Sequence, residues 1–468
     1  MALHRYVEGE ASDEELSVRP QFTQFGEVGP LPRFRMPRDG MPADSAYQVV
    51  HDELMLDGNA RLNLATFVTT WMERQAEQLM AECADKNLID KDEYPQTAEL
   101  ERRCVNILAH LWHATSHQGE EATGCSTSGS SEACMLGGMA LKWRWRQRLE
   151  AAGGYDLARR PNLVMGANVQ VCWEKFCRYW DVEMRLVPVS AEATHLTPEG
   201  AVAACDENTI GVIAVLGSTY DGVYEPVAEI AAALDGLARE RGIDVPMHVD
   251  GASGAMVAPF LDPDLEWDFR IPRVQSINVS GHKYGLVYPG IGWVVWRDTA
   301  ALPDDLVFKV DYLGGEMPTF TLNFSRPGSQ VAVQYYNFLR LGFNGFKAVQ
   351  GASRDVAQYL AHEIARMDVF ELVSDDFCIP AFAFRLRDPV ACGFSVFDVS
   401  EALRAWGWIV PAYKMPPAIE DMAVLRIVVR NGFGRNLADD LMEDLALVIK
   451  RLEGRRHLTT EERTGFAH

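Results

Sequence analysis

One lysine stands where covalent chemistry is possible. In Ser276-Ile-Asn-Val-Ser280-Gly-His282-Lys283-Tyr-Gly285 a short apolar run ends in a Ser-Gly turn, and Lys283 follows directly on His282. A lysine drawn out of water gives up its proton more readily and becomes a nucleophile able to form a Schiff base with an aldehyde. Upstream, Val245-Pro-Met-His-Val-Asp250 reads as a buried strand ending in an acid. Asp250 is then either a cap or turn aspartate or a ligand contact, since ligands of open α/β sheets bind beyond the carboxyl ends of the strands. A third stretch, Thr127-Ser-Gly129-Ser130-Ser131-Glu-Ala133, opens a helical run from Cys134 to Arg148. Unpaired N–H groups and the positive end of the helix dipole attract anions there, and serine hydroxyls add donors. A serine N-cap accounts for one of these serines and leaves the others unexplained. A phosphate loop, a strand-end Asp and a strand-end Lys, in that order, match the needs of pyridoxal phosphate: an anion cradle, a partner for the protonated pyridine nitrogen, and an amine for the aldehyde.

The elements that must position these residues follow from periodicity. Between about 160 and 300, strands alternate with helices: Asn162–Gly166, then helix Cys172–Asp181, strand Glu183–Val189, helix Pro198–Cys205, strand Thr209–Gly217 and helix Val227–Gly242. Strands ending at Asp250, Ser280 and Trp296 follow. That alternation predicts a mostly parallel sheet with helices on both faces. Gln170 and Thr219 fall near strand ends, within reach of a cofactor ring. Earlier, a helix over Ala46–Met55 stops at Asp57-Gly58, and polar loops at Asn59–Phe67 and Asn87–Pro95 precede a helix over Thr97–Ala114. Later, a polar loop at Asn323–Gly328 leads to a long helix over Gln330–Met367. Strand Phe382–Leu386, helix Phe397–Trp406, strand Val424–Val429 and helix Leu437–Leu452 predict a small α+β domain. Arg426 and Arg430 lie in and just past its last strand, as surface partners or as ligands of an anion. The expected division is an arm and helix at 1–60, a large cofactor-binding domain at 61–330, and a linking helix, small domain and tail at 331–468.

Composition narrows the function class. Of 468 residues 48% are hydrophobic, enough for a core, and no 18-residue apolar run predicts a membrane span. Forty-four basic against 66 acidic residues give a net charge of −22, which argues against nucleic acid and anionic membranes as partners. The opening Met-Ala-Leu-His-Arg-Tyr has no apolar core of a secretory signal, so a cytoplasmic protein is expected. Nine cysteines without a Cys-x-x-Cys pair fit reduced thiols, and no metal site is expected. The first 45 residues form an acidic arm (Glu8, Glu10, Asp13, Glu14, Glu15) followed by prolines and glycines (Pro20, Gly29, Pro30, Pro32, Pro37), either disordered or packed on a partner subunit.

From about residue 46 onward the chain resembles pyridoxal-phosphate-dependent decarboxylases of the glutamate decarboxylase type, most of all the bacterial ones. The resemblance rests on Asp57-Gly-Asn-Ala-Arg61 through Asn63-Leu-Ala-Thr66-Phe67, Gly129-Ser-Ser-Glu-Ala-Cys-Met-Leu-Gly-Gly138, His248-Val-Asp250, Ser280-Gly-His-Lys-Tyr-Gly285 and Asn323-Phe-Ser325-Arg-Pro327. It implies the fold type I of pyridoxal-phosphate enzymes, an α/β fold with a large, mostly parallel sheet domain and a smaller C-terminal α+β domain. It further implies decarboxylation of L-glutamate to 4-aminobutanoate, the alternative being a decarboxylase or lyase for another amino acid on the same cofactor machinery. Carried over by position, Lys283 would hold the cofactor, Asp250 would face its ring nitrogen and Gln170 its ring face, with Thr219 near the phenolic oxygen. Ser130, Ser131, Ser280 and His282 would hold the phosphate, with Ser325 reaching in from a neighbouring subunit, which implies a homo-oligomer, a dimer or larger. Thr66, the Phe67 backbone and Asp90 would surround the distal carboxylate, Asn87 would support it, and Arg426 would meet the α-carboxylate end. An aspartate beside a substrate carboxylate requires one of them to carry a proton, so Asp90 favours acid conditions. In some bacterial relatives a histidine near the C-terminus blocks the active site as pH rises; His468 stands there here, either as such a switch or as a disordered end. The tail has no tryptophan and no long basic amphipathic helix, so calmodulin control is not expected.

Overall fold

The computed structural model describes residues 33–38, 40–114, 121–154, 156, 158–310, 317–374 and 376–455. The acidic arm (Glu8, Glu10, Asp13, Glu14, Glu15) and the terminal His468 lie outside the described residues. The chain divides into a unit ending at Gly58 and a second beginning at Asn59. The described part of the first carries α1 (Ala43–Leu54), three residues earlier at its start than the sequence predicts.

In the second unit α2 (Arg74–Glu82) and α3 (Pro95–Leu111) precede the alternating region. That region runs β1 (Gly124–Thr127), α4 (Ser130–Ala151), β2 (Asn162–Gly166), α5 (Val171–Tyr179), β3 (Glu183–Val187), α6 (Pro198–Ala204) and β4 (Thr209–Val215). It continues through α7 (Val227–Arg241), β5 (Met247–Asp250), α8 (Ala258–Leu261), β6 (Val274–Val279) and β7 (Gly292–Trp296). A hairpin of β8 (Phe308–Val310) and β9 (Met317–Thr319) leads to α9 (Ser329–Ala365). The C-terminal layer is β10 (Phe370–Leu372), β11 (Ala381–Leu386), α10 (Pro389–Cys392), α11 (Val396–Arg404), β12 (Ala412–Lys414), β13 (Ala423–Val428) and α12 (Arg435–Arg455).

The seven-stranded sheet has the order β1-β7-β6-β5-β4-β2-β3. Its pairings from β3 across to β6 are parallel, and β7 alone runs against its two neighbours. Thr-Ile-Gly-Val-Ile-Ala-Val in β4 and Asn-Leu-Val-Met-Gly in β2 are buried along their whole length. Continuous burial replaces alternation because helices cover both faces of a parallel sheet. The four-stranded sheet, β10-β11-β13-β12, is antiparallel throughout and has its own core with α9, α11 and α12.

Several features depart from the sequence reading. The long helix is not straight: Gly342 takes φ 57° and ψ −174°, breaking α9 into two helical segments. β1, β10 and β12 were not expected, being strands of only four, three and three residues. Residues 62–64, at the start of the expected large domain, are bonded to the C-terminal layer: Ile409 N donates to Leu62 O at 3.0 Å, Leu64 N to Ile409 O at 2.9 Å, and Val428 N to Leu64 O at 3.0 Å. Leu64 is fully buried in that layer's core.

Gly222 is one point of contact between the two layers. Its φ is +83°, its carbonyl accepts from Cys378 N at 2.9 Å and Ile379 N at 3.2 Å, and a Cβ there would overlap the Ala381 carbonyl. Gly222→Ala combines an unfavourable backbone conformation with a steric clash against main chain, and should destabilise the protein by about 3 kcal/mol. A lowered urea midpoint checks this; an unchanged midpoint would show that the two layers can separate there freely.

Candidate active site

β6 ends at Val279, and the chain then turns tightly: Ser280 N bonds to Ala252 O at 3.1 Å, and Lys283 N to Ser280 O at 3.1 Å. This turn delivers Lys283 beyond the carboxyl edge of the sheet, beside the end of β5. Lys283 Nζ lies 3.2 Å from Ser253 Oγ and 5.3 Å from the centre of the Phe67 ring. Loss of water around the amine pushes its pKa below the ordinary lysine range, against an opposing pull from Asp250. The turn is latched from outside by Thr69, whose N–H donates to His282 O at 2.7 Å and whose hydroxyl donates to Lys283 O at 2.6 Å.

Asp250 ends β5 and is held on both oxygens. Trp173 Nε1 donates to Oδ2 at 2.8 Å; Asn278 Nδ2 and Ala252 N donate to Oδ1 at 3.0 and 3.2 Å. Asn278 has thereby committed its amide donor, so its Oδ1 accepts from His248 Nε2 at 2.7 Å, and His248 Nδ1 accepts from Ser276 Oγ at 2.7 Å. The ring of Trp173 meets His248 edge-on at 5.1 Å. Burial, above all, pushes His248 down to about 4.

The anion end lies where β1 passes into α4. Gly129 is the N-cap of this 22-residue helix, and Ser280 Oγ donates to Ser130 Oγ at 2.7 Å, which brings two hydroxyls from separate turns to the helix start. Ser131 occupies the first turn with an exposed side chain. The His282 ring packs against Gly129, where a Cβ would come within 2.9 Å of Cε1, and its buried Nδ1 has no partner among the described residues. Burial first, and the charge of Lys283 second, push His282 to about 4.

Beside the lysine a cavity of about 390 Å³ is lined by Thr66, Phe67, Gln170, Thr219, Tyr220, Lys283, Tyr413 and Arg426, together with Ala65 and Val68. Gln170 Nε2 donates to Thr219 Oγ1. Arg426 donates to Ala65 O at 2.7 Å and to Thr219 O, lies 4.9 Å over Phe67 and 5.4 Å over Tyr413, and keeps a buried Nε without a partner among the described residues. Val68 N donates to Thr66 Oγ1 at 3.0 Å, which leaves the hydroxyl proton free to donate. Among the described residues the N–H groups of Thr66 and Phe67 bond to no acceptor.

Asn87, Asp90 and Ser325 do not line this cavity. They form a second cluster: Asn87 Nδ2 donates to Asp90 Oδ2 at 3.0 Å and to Ser325 Oγ at 3.3 Å. Their loops are tied together by Leu88 N to Arg326 O at 2.9 Å, Arg326 N to Asn87 Oδ1 at 3.1 Å and Gly328 N to Lys86 O at 2.8 Å. Glu132, unremarked in the sequence, is buried at the third position of α4 and accepts from Ser128 N at 2.8 Å, Leu322 N at 3.0 Å and Asn323 Nδ2 at 3.2 Å. A glutamate at that helical position is the one local signal that could have found it. Trp173, Asn278, Ser253, Thr69 and Tyr413 carried no such signal.

The donor set suits a group with an aldehyde, a basic ring nitrogen and a phosphate. A desolvated amine, a carboxylate fixed by three donors, and paired serines with an unpartnered imidazole at a helix N-terminus supply the three contacts.

Comparison with known proteins agrees. The pyridoxal-dependent decarboxylase conserved domain matches residues 37–387. A glutamate decarboxylase of Aliivibrio fischeri is 55% identical over 416 residues, covering 89% of each chain. One of Solanum lycopersicum is 51% identical over 442 residues, covering 94% of this chain and 87% of its own length. Among solved structures, the glutamate decarboxylase of Lactobacillus brevis superposes with a TM-score of 0.88 at 46% identity, covering 92% of this chain and 97% of the other.

The two depressed histidines set a pH dependence. An unfolded histidine titrates near ~6.5, so the folded form is the one that releases these protons. The stability tied to the neutral rings is fully present above about pH 6.5 and is lost as pH falls through the folded value of about 4. Cofactor-free His248→Gln should lose stability less steeply than the parent across that window, followed by urea unfolding at a series of pH values. Parallel slopes would mean that His248 does not titrate with folding.

Proposed function

The chain belongs to the pyridoxal-dependent decarboxylases, and from that premise we propose that it removes the α-carboxylate of L-glutamate, releasing carbon dioxide and 4-aminobutanoate. The observation that carries the choice of substrate is one cavity holding two separate anion receptors. Arg426 is a guanidinium with no carboxylate partner among the described residues, and the Thr66–Phe67 turn offers a hydroxyl and two unpaired N–H groups. A substrate with a carboxylate at each end satisfies both.

Pyridoxal phosphate, when bound, supplies an electron sink for the pair left on the substrate's α-carbon as carbon dioxide departs. Lys283 would hold it through an amine whose proton desolvation makes easier to lose. Asp250, immobilised by Trp173, Asn278 and the Ala252 N–H, would pair with the ring nitrogen. Ser130, Ser131, Ser280 and His282 would hold the phosphate, Gln170 the ring face, and Thr219 the phenolic oxygen. Arg426 would orient the α-carboxylate end and Thr66 with the Phe67 N–H the distal carboxylate. The Phe67, Tyr220 and Tyr413 rings supply the apolar part of the cavity wall.

The Asn87–Asp90–Ser325 cluster favours a homo-oligomeric site. The three residues are joined to one another and stand apart from their own chain's cavity, an arrangement suited to delivery as a unit into a second copy. Asp90 would then reach the distal carboxylate of a substrate bound in the second copy.

Product analysis over the common L-amino acids tests the activity: carbon dioxide and 4-aminobutanoate from glutamate, abolished in Lys283→Ala. Turnover of a different amino acid in preference would move the assignment to another decarboxylase. Shared sites predict complementation. Lys283→Ala and Asp90→Ala subunits, each inactive alone, should recover about a quarter of the parental activity when unfolded together and refolded as randomly mixed dimers. No recovery would place Asp90 in its own chain's site.

A further inference from the structure

Arg430 lies two residues past β13 and was read from sequence as a surface partner or an anion ligand. It is neither. The side chain is buried, with a relative exposure of 5%, and it pairs with no carboxylate among the described residues. All its partners lie on one short segment: Nη1 donates to Val68 O at 3.0 Å and to Thr70 Oγ1, and Nη2 donates to Asn63 O and, at 3.4 Å, to Ala60 O. Burying a cation costs heavily unless several dipoles compensate it, so a single guanidinium spread over four acceptors in eleven residues is a device for fixing chain shape.

The gripped segment carries the cavity wall. Between the points that Arg430 holds at Asn63 and Val68 lie Thr66 and Phe67, which line the cavity. Arg426, four residues earlier, holds Ala65 O in the same stretch, and Thr69 fastens the far end to the Lys283 turn. The segment is therefore pinned to the C-terminal layer on one side and to the lysine on the other. Its two internal turns, Asn63 Oδ1 accepting from Ala65 N at 3.0 Å and Thr66 Oγ1 accepting from Val68 N at 3.0 Å, leave the Thr66 and Phe67 N–H groups without acceptors. A loop with two unsatisfied donors relaxes toward water or backbone partners unless something external holds it.

We propose that Arg430 is a positioning residue for substrate recognition: its guanidinium holds residues 60–70 in the conformation that presents Thr66 and Phe67 to the distal carboxylate of a dicarboxylic amino acid. This rests on the glutamate reading given above. Lysine cannot replace the guanidinium, because a compact ammonium cannot span acceptors at both ends of the segment.

The test compares holoenzymes of the parent, Arg430→Lys and Arg430→Ala. In Arg430→Lys, KM for L-glutamate should rise roughly tenfold or more while kcat falls by less than that factor, the split expected when ground-state recognition is lost. The cofactor absorbance should keep its parental form. Amide hydrogen exchange should quicken in peptides spanning 60–71 and stay at the parental rate in those spanning β5. Added guanidinium ion should lower KM in Arg430→Ala and leave Arg430→Lys unaffected. Thr70→Val, which removes one acceptor and leaves Arg430 in place, should move KM and exchange in the same direction by a smaller factor, and decides the matter if the arginine variants do not fold. Unchanged exchange over 60–71, or a fall in kcat with KM untouched, would overturn the proposal. If the parent does not turn over glutamate at all, the substrate reading fails, while the exchange comparison still decides whether Arg430 sets the segment's shape.

Discussion

The site depends on keeping water away from one lysine without giving that lysine a counter-ion. A carboxylate in contact with Lys283 Nζ would raise its pKa and hold the amine in its charged, unreactive form. The nearest candidate, Asp250, has both oxygens engaged by Trp173, Asn278 and the Ala252 N–H, and the contact made by Nζ is to the neutral Ser253 hydroxyl. Desolvation therefore prevails over attraction at the amine, and the direction of its shift is downward. The same three donors serve Asp250 itself, since a buried carboxylate is tolerated only when its lone pairs are met. Asp250 thus pulls the pKa of a lysine one strand away upward without overcoming its desolvation.

A related economy governs the two arginines of the C-terminal layer. The chain carries a net charge of −22, yet Arg426 and Arg430 are balanced by backbone carbonyls and not, among the described residues, by acids. An acid beside Arg426 would compete with a substrate carboxylate for the guanidinium. Carbonyl dipoles stabilise the cation without cancelling it, which preserves an anion receptor inside an acidic protein. Such a protein repels a substrate of net negative charge at long range, so recognition must come from short-range contacts made after entry. This places the burden on the geometry of the cavity wall, and the segment from Asn63 to Thr70 is where that geometry is set.

What the sequence revealed and what it concealed divide along the distance between partners. Asp250 ends a strand and Lys283 follows another by a short turn, both strands being buried runs visible in the chain, and Ser130 opens a helix whose start is marked by a glycine and serines. Each of these is a local event. Trp173 meets Asp250 across 77 positions, Asn87 meets Ser325 across 238, and Arg430 meets Asn63 across 367; no spacing rule connects them. The short strands β1 and β12 escaped for the same reason: three or four residues carry too little pattern, and pairing with β7 and β13 is what makes them strands. Arg430 was visible as a residue and opaque as a role, because an arginine past a strand end is ordinarily solvated.

Helix α4 shows how the local and the distant are reconciled. Its N-terminus presents Gly129 and Ser130 to the anion end of the site, and one turn later Cys134 Sγ lies 3.7 Å from Asp250 Oδ2. One turn further, Gly137 and Gly138 touch His248 and Phe176, where added Cβ atoms would come within 2.6 and 2.7 Å of the rings. A larger side chain at Gly137 would press the helix off β5, and one at Gly138 would press it off α5. Because α4 is a stiff rod, lifting it at Gly137 would also carry Ser130 away from Ser280, and the separation between the carboxylate end and the phosphate end of the site would change with it. Gly137, which has no side chain at all, thereby bears on the length of a cofactor site whose ends are read by other residues.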